Sequence, residues 1–414
     1  MLQQRRRLQF TSTLLICAVL ILCSLRYVQN RASHGKASRV ILPDLRVGRQ
    51  EYQFKEPVVN STSPYPIGKT KPAGSNYTRA LVIASLKKQD TAWADAYLGE
   101  MQEAGLLSTA IYVVDNPRAK PRVPKNKGHE AMVYLTYIID NYDALPDVSI
   151  FMHADRYTWH NDDLLERDAV KMIQHLSPER VTREGYMNLR CHWVPGCPAW
   201  LQPHMAVPDP AKEEQLVIAQ HWSQLFPEEP LPEVLAQPCC GQFAVSRDRI
   251  LELPKKRYMF LREWLLNTAL TDYLSGRVFE YTWQFIFTKS PVTCPSMSAC
   301  YCDGYGICFG NPKEFDYWFE LRYKRNGYVE AMRMWQKMLD HPQGMVSFGA
   351  PGARALLGEL SGVPDRDKIG EAKRLVDIYT RDMDERLAAA FVAGDSPRQR
   401  ALESGRDWRE GDGF

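Results

Sequence analysis

The chain has 414 residues and a formal net charge of only +3, from 52 basic and 49 acidic residues. This balance, together with the absence of a basic stripe interleaved with aromatic residues, argues against a nucleic-acid partner. With 45% hydrophobic residues, the chain is long enough for one large folded domain or two ordinary ones.

The N-terminal residues have the pattern of a membrane anchor. Residues 1–7 contain three arginines and precede an apolar run, residues 8–25, of about one bilayer span. The run is longer than the apolar part of a signal peptide, and no small-residue cleavage site follows it. We therefore expect a cytoplasmic tail, an uncleaved type II signal anchor, and a lumenal remainder in the Golgi or endoplasmic reticulum. A cleaved signal peptide is the alternative.

A solvated stem is expected between the anchor and the folded part. Residues 26–78 are rich in Pro, Ser, Gly and basic residues and show no apolar periodicity. Two glycosylation sequons, at Asn60 and Asn76, lie in this segment. They agree with a lumenal location.

Strands and helices alternate from Arg79 onward. Three apolar runs typical of buried strands are separated by two helical patterns, in the order strand 79–86, helix 90–106, strand 109–116, helix 126–145, strand 147–156. This alternation predicts an α/β fold, a mainly parallel sheet with helices on both faces, within a lumenal domain over residues 79–345.

The rest of the chain is mainly helical. Residues 161–176 predict a helix capped by Asn161 or Asp162. A helical extension over residues 346–392 and a disordered tail over residues 393–414 complete the expected organisation.

The cysteines beyond the anchor are expected to form disulfides. Their number is even, and the lumen of the secretory pathway is oxidising. Zinc is the alternative, but the C-x5-C-x-C-x5-C spacing of the last four does not match the short spacings of structural zinc sites. The pairing cannot be read from spacing. The candidates are Cys191, Cys197, Cys239, Cys240, Cys294, Cys300, Cys302 and Cys308.

Polar side chains follow two of the predicted strands at the edge where ligands of α/β sheets bind. Asp115 ends one strand and is a candidate for substrate binding, while His153 and Asp155 end another. An imidazole and a carboxylate suit a divalent cation such as Mn²⁺, and His160 is a third candidate ligand. Trp159 offers a flat face for a sugar or a base. The alternative is an ordinary polar loop that caps the strand and the next helix.

Two later segments supply further candidates. Gly241 allows close approach to a ligand or a neighbouring strand, and Gln242 presents an amide where a short strand begins. Glu280 stands among aromatic residues, where burial raises the pKa of a carboxyl group and suits it to general-base catalysis. Asp272 is a second candidate base. The alternative for Glu280 is a simple ion pair with Arg277.

Three ordered blocks resemble the fungal domain-of-unknown-function 3431 family over residues 79–310: NKGHEAMVYLTYIIDNYDALPDVSIFMHADRYTWHN, CCGQFAVSRDRI and GRVFEYTWQFIF. The resemblance implies a fungal source, a single N-terminal anchor and a lumenal domain whose activity is unassigned. The layout is more loosely similar to type II glycosyltransferases of the GT-A fold. That similarity implies that His153 and Asp155 stand at the metal and diphosphate, with Glu280 or Asp272 as the base, although a true Asp-x-Asp motif is missing.

The leading hypothesis is a membrane-anchored lumenal glycosyltransferase that uses Mn²⁺ or another divalent cation. Its partners would be a nucleotide-sugar, a hydroxyl acceptor and the membrane, and the sequence leaves the oligomeric state open. A metal-dependent hydrolase is one alternative, with His153, Asp155 and His160 as ligands and His129 as a further candidate. A non-catalytic lumenal protein that binds carbohydrate or another partner is the other.

Overall fold

The structure is a computed structural model that describes residues 63–205, 207, 209–340 and 366–414. The predicted cytoplasmic tail and anchor, the first part of the predicted stem with Asn60, and the start of the predicted helical extension lie outside the described residues. Among the helices within these ranges, none combines the length and the apolar character that crossing a bilayer requires.

The described residues belong to two compact units. The larger contains residues 63–325 and 374–414, and the smaller contains residues 326–340 and 366–373. The sheet and all residues discussed below belong to the larger unit.

A five-stranded sheet forms the centre of the larger unit. Its strands are β1 (Arg79–Ser85), β2 (Leu107–Val113), β3 (Val148–His153), β4 (Tyr186–Asn188) and β5 (Phe243–Ser246). Their order is β2-β1-β3-β5-β4, with β1 parallel to both of its neighbours and β5 antiparallel to β3 and β4. The predicted α/β fold with a mainly parallel sheet and a helical C-terminal part is confirmed.

Thirteen α-helices and one short 3-10 helix, Tyr142–Ala144, are present in the described part of the chain. The α-helices are α1 (Trp93–Glu103), α2 (Ala131–Asn141), α3 (Ala169–His175), α4 (Pro178–Glu184), α5 (Glu214–Leu225), α6 (Arg247–Leu251), α7 (Lys255–Asn267), α8 (Asp272–Glu280), α9 (Trp283–Thr288), α10 (Met297–Tyr305), α11 (Pro312–Asp340), α12 (Arg366–Gly394) and α13 (Pro397–Glu403).

The central strands are continuous apolar runs because they are buried on both faces. Leu81, Val82 and Ile83 of β1 are fully buried, as expected of a strand in the middle of a mainly parallel sheet. Aromatic rings then extend the core beyond the sheet. Phe151 of β3 and Phe243 of β5 have ring centroids 4.9 Å apart. These strands therefore hold the residues that follow them on a rigid support.

The helix predicted over residues 161–176 begins only at Ala169. Glu166 and Arg167 both have a φ of 57°, a left-handed conformation that interrupts a right-handed helix. Asp168 caps the helix instead, because its side chain accepts from the N–H of Val170. Asp162 is fully buried and accepts from the N–H of Cys191 at 2.7 Å, so it is not a helix cap.

The structured part of the chain extends further at both ends than the sequence predicted. Tyr77, in the predicted stem, is buried, and Lys71 forms an ion pair with Asp147 at 2.6 Å. Helix α13 lies in the segment expected to be disordered, with Ala401 fully buried against the domain. The ring of Phe414 packs on the guanidinium of Arg183 at 3.8 Å. Single buried residues in polar segments leave no periodic pattern in the sequence.

All of the candidate cysteines are paired, which confirms the disulfide prediction. The pairs are Cys191–Cys300, Cys197–Cys294, Cys239–Cys240 and Cys302–Cys308. Among the described residues, one group of three possible metal-ligand side chains converges, namely Cys302, Cys308 and Glu403. Since its two cysteines are joined in a disulfide, they offer no thiolate to a metal.

Candidate functional site

The end of β3 is joined to the start of β5 by a buried amide. Gln242 is 1% exposed, and its Oε1 accepts from the N–H of His153 at 2.9 Å. Its Nε2 donates to Oδ1 of Asn161 at 3.0 Å. Gln242 therefore fixes both the strand end and the loop that carries His160. The amide predicted to bind substrate is engaged within the protein.

His153 and His160 form a close pair at this strand end. Their Nδ1 atoms lie 3.0 Å apart. Burial, followed by the neighbouring charges of His160 and His129, lowers the pKa of His153 to about 3. Burial also lowers the pKa of His160. Both imidazoles are thus neutral at physiological pH, the form in which histidine binds metals. The half-exposed ring of Trp159 lies over His160, with centroids 4.2 Å apart.

Asp155 and Asp115 lie in neighbouring loops, and of these two carboxylates Asp155 is the one whose charge acts on His160, raising its pKa against the effect of burial. Asp155 is exposed and accepts from Nε2 of Gln89 at 3.2 Å. Asp115 is also exposed and accepts from the N–H of Lys87 at 2.8 Å. In the described part of the chain, Asp155 does not converge with His153 and His160 as a set of three ligands. The histidine pair thus stands as two potential ligands.

Glu280 lies next to Cys240 at the entry to β5. Its Oε1 accepts from the N–H of Cys240 at 3.1 Å, and its Oε2 accepts from Nη1 of Arg277 at 2.8 Å. Nη2 of the same arginine donates to the buried Glu214 at 2.7 Å. Burial raises the pKa of Glu280, while the charge of Arg277 opposes this shift. Glu280 therefore forms the predicted ion pair with Arg277 and also lies beside the entry to β5.

Glu130, immediately before α2, is a candidate that the sequence interpretation missed. Gly241 has a φ of +62°, and a Cβ on it would lie 2.8 Å from Oε1 of Glu130 and 3.8 Å from Cγ of Glu280. The two carboxyl-bearing side chains therefore meet above this glycine. Burial, with the charges of Glu280 and Asp272, raises the pKa of Glu130 to about 8 against the opposing charge of Arg277. The signal in the sequence is a polar Gly-His-Glu triplet directly before an apolar helix.

Asp272 orients an imidazole. Its Oδ1 accepts from the N–H of Gly128 at 2.6 Å, and its Oδ2 lies 3.2 Å from Nε2 of His129. Both side chains are about half exposed. A carboxylate that holds one ring nitrogen of a histidine leaves the other free for proton transfer. Asp272 is thus placed to position His129, and its predicted role as a base remains a hypothesis.

We call Glu130, His153, His160, Gln242 and Glu280 the carboxyl-edge cluster. Its members come from segments far apart in the chain and are linked through Gly241 and Gln242. The two carboxyl groups meet at Gly241, and the amide of Gln242 holds the main chain of both histidines. Carboxyl groups whose surroundings differ can divide the roles of proton donor and acceptor. Three cavities in the described part of the chain, of about 280, 140 and 90 Å³, lie away from this cluster.

The profile of a family described as a protein of unknown function (DUF3431) matches residues 81–303, just over half of the chain. The matched region contains the whole carboxyl-edge cluster. No curated protein and no solved structure matches the chain. The chain therefore belongs to the DUF3431 family.

Proposed function

We propose that this protein is a glycosyltransferase-like enzyme that moves a sugar from a nucleotide-sugar to a hydroxyl acceptor at the carboxyl-edge cluster. The single observation that carries the proposal is that Gly241, where Glu130 and Glu280 meet, directly precedes Gln242, whose amide holds the strand end that bears the histidine pair. Catalytic residues of α/β proteins gather at this edge of the sheet.

Proton transfer would fall to the two carboxyl groups. Arg277 favours the ionised form of Glu280, which suits this carboxylate to accept the proton of an acceptor hydroxyl. Glu130, with a pKa of about 8, carries a proton at neutral pH and can donate a hydrogen bond to the substrate. Its carboxyl group accepts from its own main-chain N–H, and its side chain bonds no other residue in the described part of the chain.

The histidine pair favours sugar transfer over metal-dependent hydrolysis. A hydrolytic zinc site needs three protein ligands, whereas an ion that bridges the phosphates of a nucleotide takes part of its ligands from the substrate. Nδ1 of His153 and Nδ1 of His160, which share one hydrogen bond in the structure, would fit the second arrangement with both ring protons on Nε2. Such a cation would neutralise the charge of the departing diphosphate.

The cellular address is part of the same proposal. Four disulfides are typical of proteins that fold in an oxidising compartment. The sequon at Asn76 is exposed, as a glycosylated asparagine must be. Together with the apolar run at residues 8–25, these features support a type II membrane protein with a lumenal catalytic part.

Thermal unfolding with nucleotides tests the proposal. We expect UDP or GDP to raise the Tm only when Mn²⁺ is present, because ligand that binds the folded state stabilises it. His160→Ala should abolish this response, whereas His204→Ala, at an exposed position bonded to the carbonyl of Leu231, should preserve it. The same measurement on Asp155→Asn shows whether Asp155 binds the cation. Loss of the response would make Asp155 a direct ligand, and an unchanged response would make it a loop residue.

Two outcomes would refute sugar transfer. Zinc retained through purification, without any response to nucleotides, would indicate the hydrolase. No response to either nucleotide or metal would leave a lumenal binding protein.

A further inference from the structure

A second polar site lies beside β4, at a cavity of about 140 Å³. Its wall is formed by α4, β4 and the segments that follow β4 and α9. Arg180, Arg190 and Thr293 line it with hydrogen-bond donors. The donors of Asn188, Thr288 and Ser290 also line it, but they bond main-chain oxygens. We call this site the arginine cavity.

Positive charge around the arginine cavity exceeds the negative charge that pairs with it. Arg180 and Arg183 share the buried carboxylate of Asp303. Arg190 is 7% exposed and donates only to main-chain oxygens, including that of Trp159 at 2.6 Å. Its charge acts on the fully buried carboxylate of Asp162, with which it forms no ion pair.

A second buried guanidinium without a carboxylate, that of Arg249, lies next to the cavity but does not line it. It is 6% exposed and donates to the carbonyl of Phe287 at 3.0 Å and to Oγ of Ser63 at 3.4 Å. Glu184 lines the cavity, but it bonds to Arg406 at 2.6 Å. Within the described residues, therefore, neither Arg190 nor Arg249 forms an ion pair with a carboxylate.

Buried donors at this site also lack acceptors. The Nε atoms of Arg180 and Arg190 and Oγ1 of Thr293 are buried without a hydrogen-bond partner in the described part of the chain. A buried donor without an acceptor is costly, and a buried charge without a counter-charge is more so. Water would satisfy the donors, but it brings no negative charge.

We infer that the arginine cavity binds a small tetrahedral oxyanion of the phosphate or sulfate class. Arginine is the side chain best suited to such groups, and the cavity is large enough for one of them. This inference does not rest on the proposed sugar transfer.

Occupation of the cavity would also brace the candidate active site. Arg190 holds the main-chain oxygens of Trp159 and Asn161, on either side of His160. An oxyanion that fixes Arg190 would therefore restrain the loop that carries one histidine of the carboxyl-edge cluster.

Binding can be measured by calorimetry and thermal unfolding on protein purified in chloride buffer. We expect saturable binding of inorganic phosphate or sulfate and a rise in Tm that sodium chloride of equal ionic strength does not reproduce. Comparison of the two anions distinguishes phosphate from sulfate as the preferred ligand.

Variants locate the site. Arg190→Gln should abolish binding, while Arg118→Gln, at an exposed position away from the cavity, should leave it unchanged. Because Arg190 also holds backbone oxygens, Thr293→Val serves as a second variant that removes one donor without changing charge, and it should weaken binding several-fold. Anion effects equal to those of chloride, or full affinity in both cavity variants, would overturn the inference and indicate a cavity filled by water.

Hydrogen exchange tests the bracing separately. Phosphate or sulfate at saturation should slow amide exchange over residues 159–161. Unchanged exchange there, with binding established, would refute the bracing.

Discussion

The carboxyl-edge cluster and the arginine cavity are opposite in charge although they belong to the same domain. The cluster gathers carboxyl groups and neutral histidines around one arginine, Arg277. The cavity is lined by Arg180 and Arg190, with Arg183 and Arg249 near them, and the buried carboxylates that face these four arginines are those of Asp303 and Asp162. Excess buried charge of one sign is costly, so each site is where a ligand of the opposite character is expected. The first suits protons and cations, and the second suits an anion.

Both sites pack on the same aromatic core, so the core does not explain why their charges differ. Trp283 packs against Phe243 at 5.2 Å and lies beside Phe287, with centroids 6.2 Å apart. Phe243 in turn contacts Tyr186 of β4 at 5.4 Å. The polar residues above this core decide what each site can bind.

The largest effect on stability is expected from removing the buried carboxylate that pairs with the arginines near the cavity. Asp303→Asn leaves Arg180 and Arg183 without their shared carboxylate, and the loss of one partner of a buried ion pair costs about 3–5 kcal/mol of unfolding free energy. Urea denaturation measures the change. Asp248→Asn is the control, since that side chain is 72% exposed and its substitution should have little effect. An effect below about 1 kcal/mol for Asp303→Asn would contradict the expected buried pairing.

The next effect is expected at the carboxyl-edge cluster. Gly241→Ala places a side chain at a φ of +62°, 2.8 Å from Oε1 of Glu130, and should cost about 1–2 kcal/mol. Gly99→Ala, in α1 with open space around it, should instead stabilise the protein by about 0.5–1 kcal/mol. Both are measured by urea denaturation. Equal effects for the two glycines would show that Gly241 is not required for the approach of Glu130.

Glu130→Gln sharpens the comparison because its effect should have the opposite sign to that of Asp303→Asn. The carboxyl group of Glu130 ionises at a pKa of about 8 when folded and near 4.5 when unfolded. Between these values the folded chain holds the extra proton, so this group makes stability fall as pH rises. The variant lacks that loss and should gain roughly 1–2 kcal/mol over the native chain between pH 5 and pH 8.5.

Urea denaturation at these two pH values measures the gain. Glu263→Gln, at an exposed site on α7, is the control and should show none. A gain that is absent, or largest at pH 5, would mean that Glu130 is not held in its protonated form.

The smallest effect is expected from Asp115, which the sequence placed among the substrate-binding residues. Its carboxylate bonds the N–H of Lys87 at an exposed position, so Asp115→Asn should cost about 0.5–1 kcal/mol. The thermal response to nucleotide and Mn²⁺ should remain. Loss of that response would return Asp115 to the site.

The sequence predicted the elements that bury continuous apolar runs. β1, β2 and β3 occur where their runs predicted them, because strands buried on both faces leave an unbroken pattern. β4 was missed because three residues, Tyr186–Asn188, carry no detectable period. The early start predicted for α3 was wrong because the left-handed residues Glu166 and Arg167 have no glycine to mark them.

Only the part of the candidate site that lies at the ends of adjacent strands could be predicted from the sequence. His153, His160 and Gln242 converge because the ends of adjacent strands meet. The role of Glu130 depends on Gly241 and Glu280, which are distant in the chain, and no local pattern reveals such a contact. Two of the disulfides also join residues that are distant in the chain. The sequence therefore predicted that the cysteines are paired but not which cysteines pair.

The most direct test of the central claim is anomalous diffraction at the manganese edge from crystals grown with Mn²⁺ and a nucleoside diphosphate. The account predicts one manganese peak bound by the Nδ1 atoms of His153 and His160, with density for the diphosphate beside Glu280. Diphosphate bound elsewhere on the domain, or a histidine pair without manganese at saturating metal and nucleotide, would contradict it.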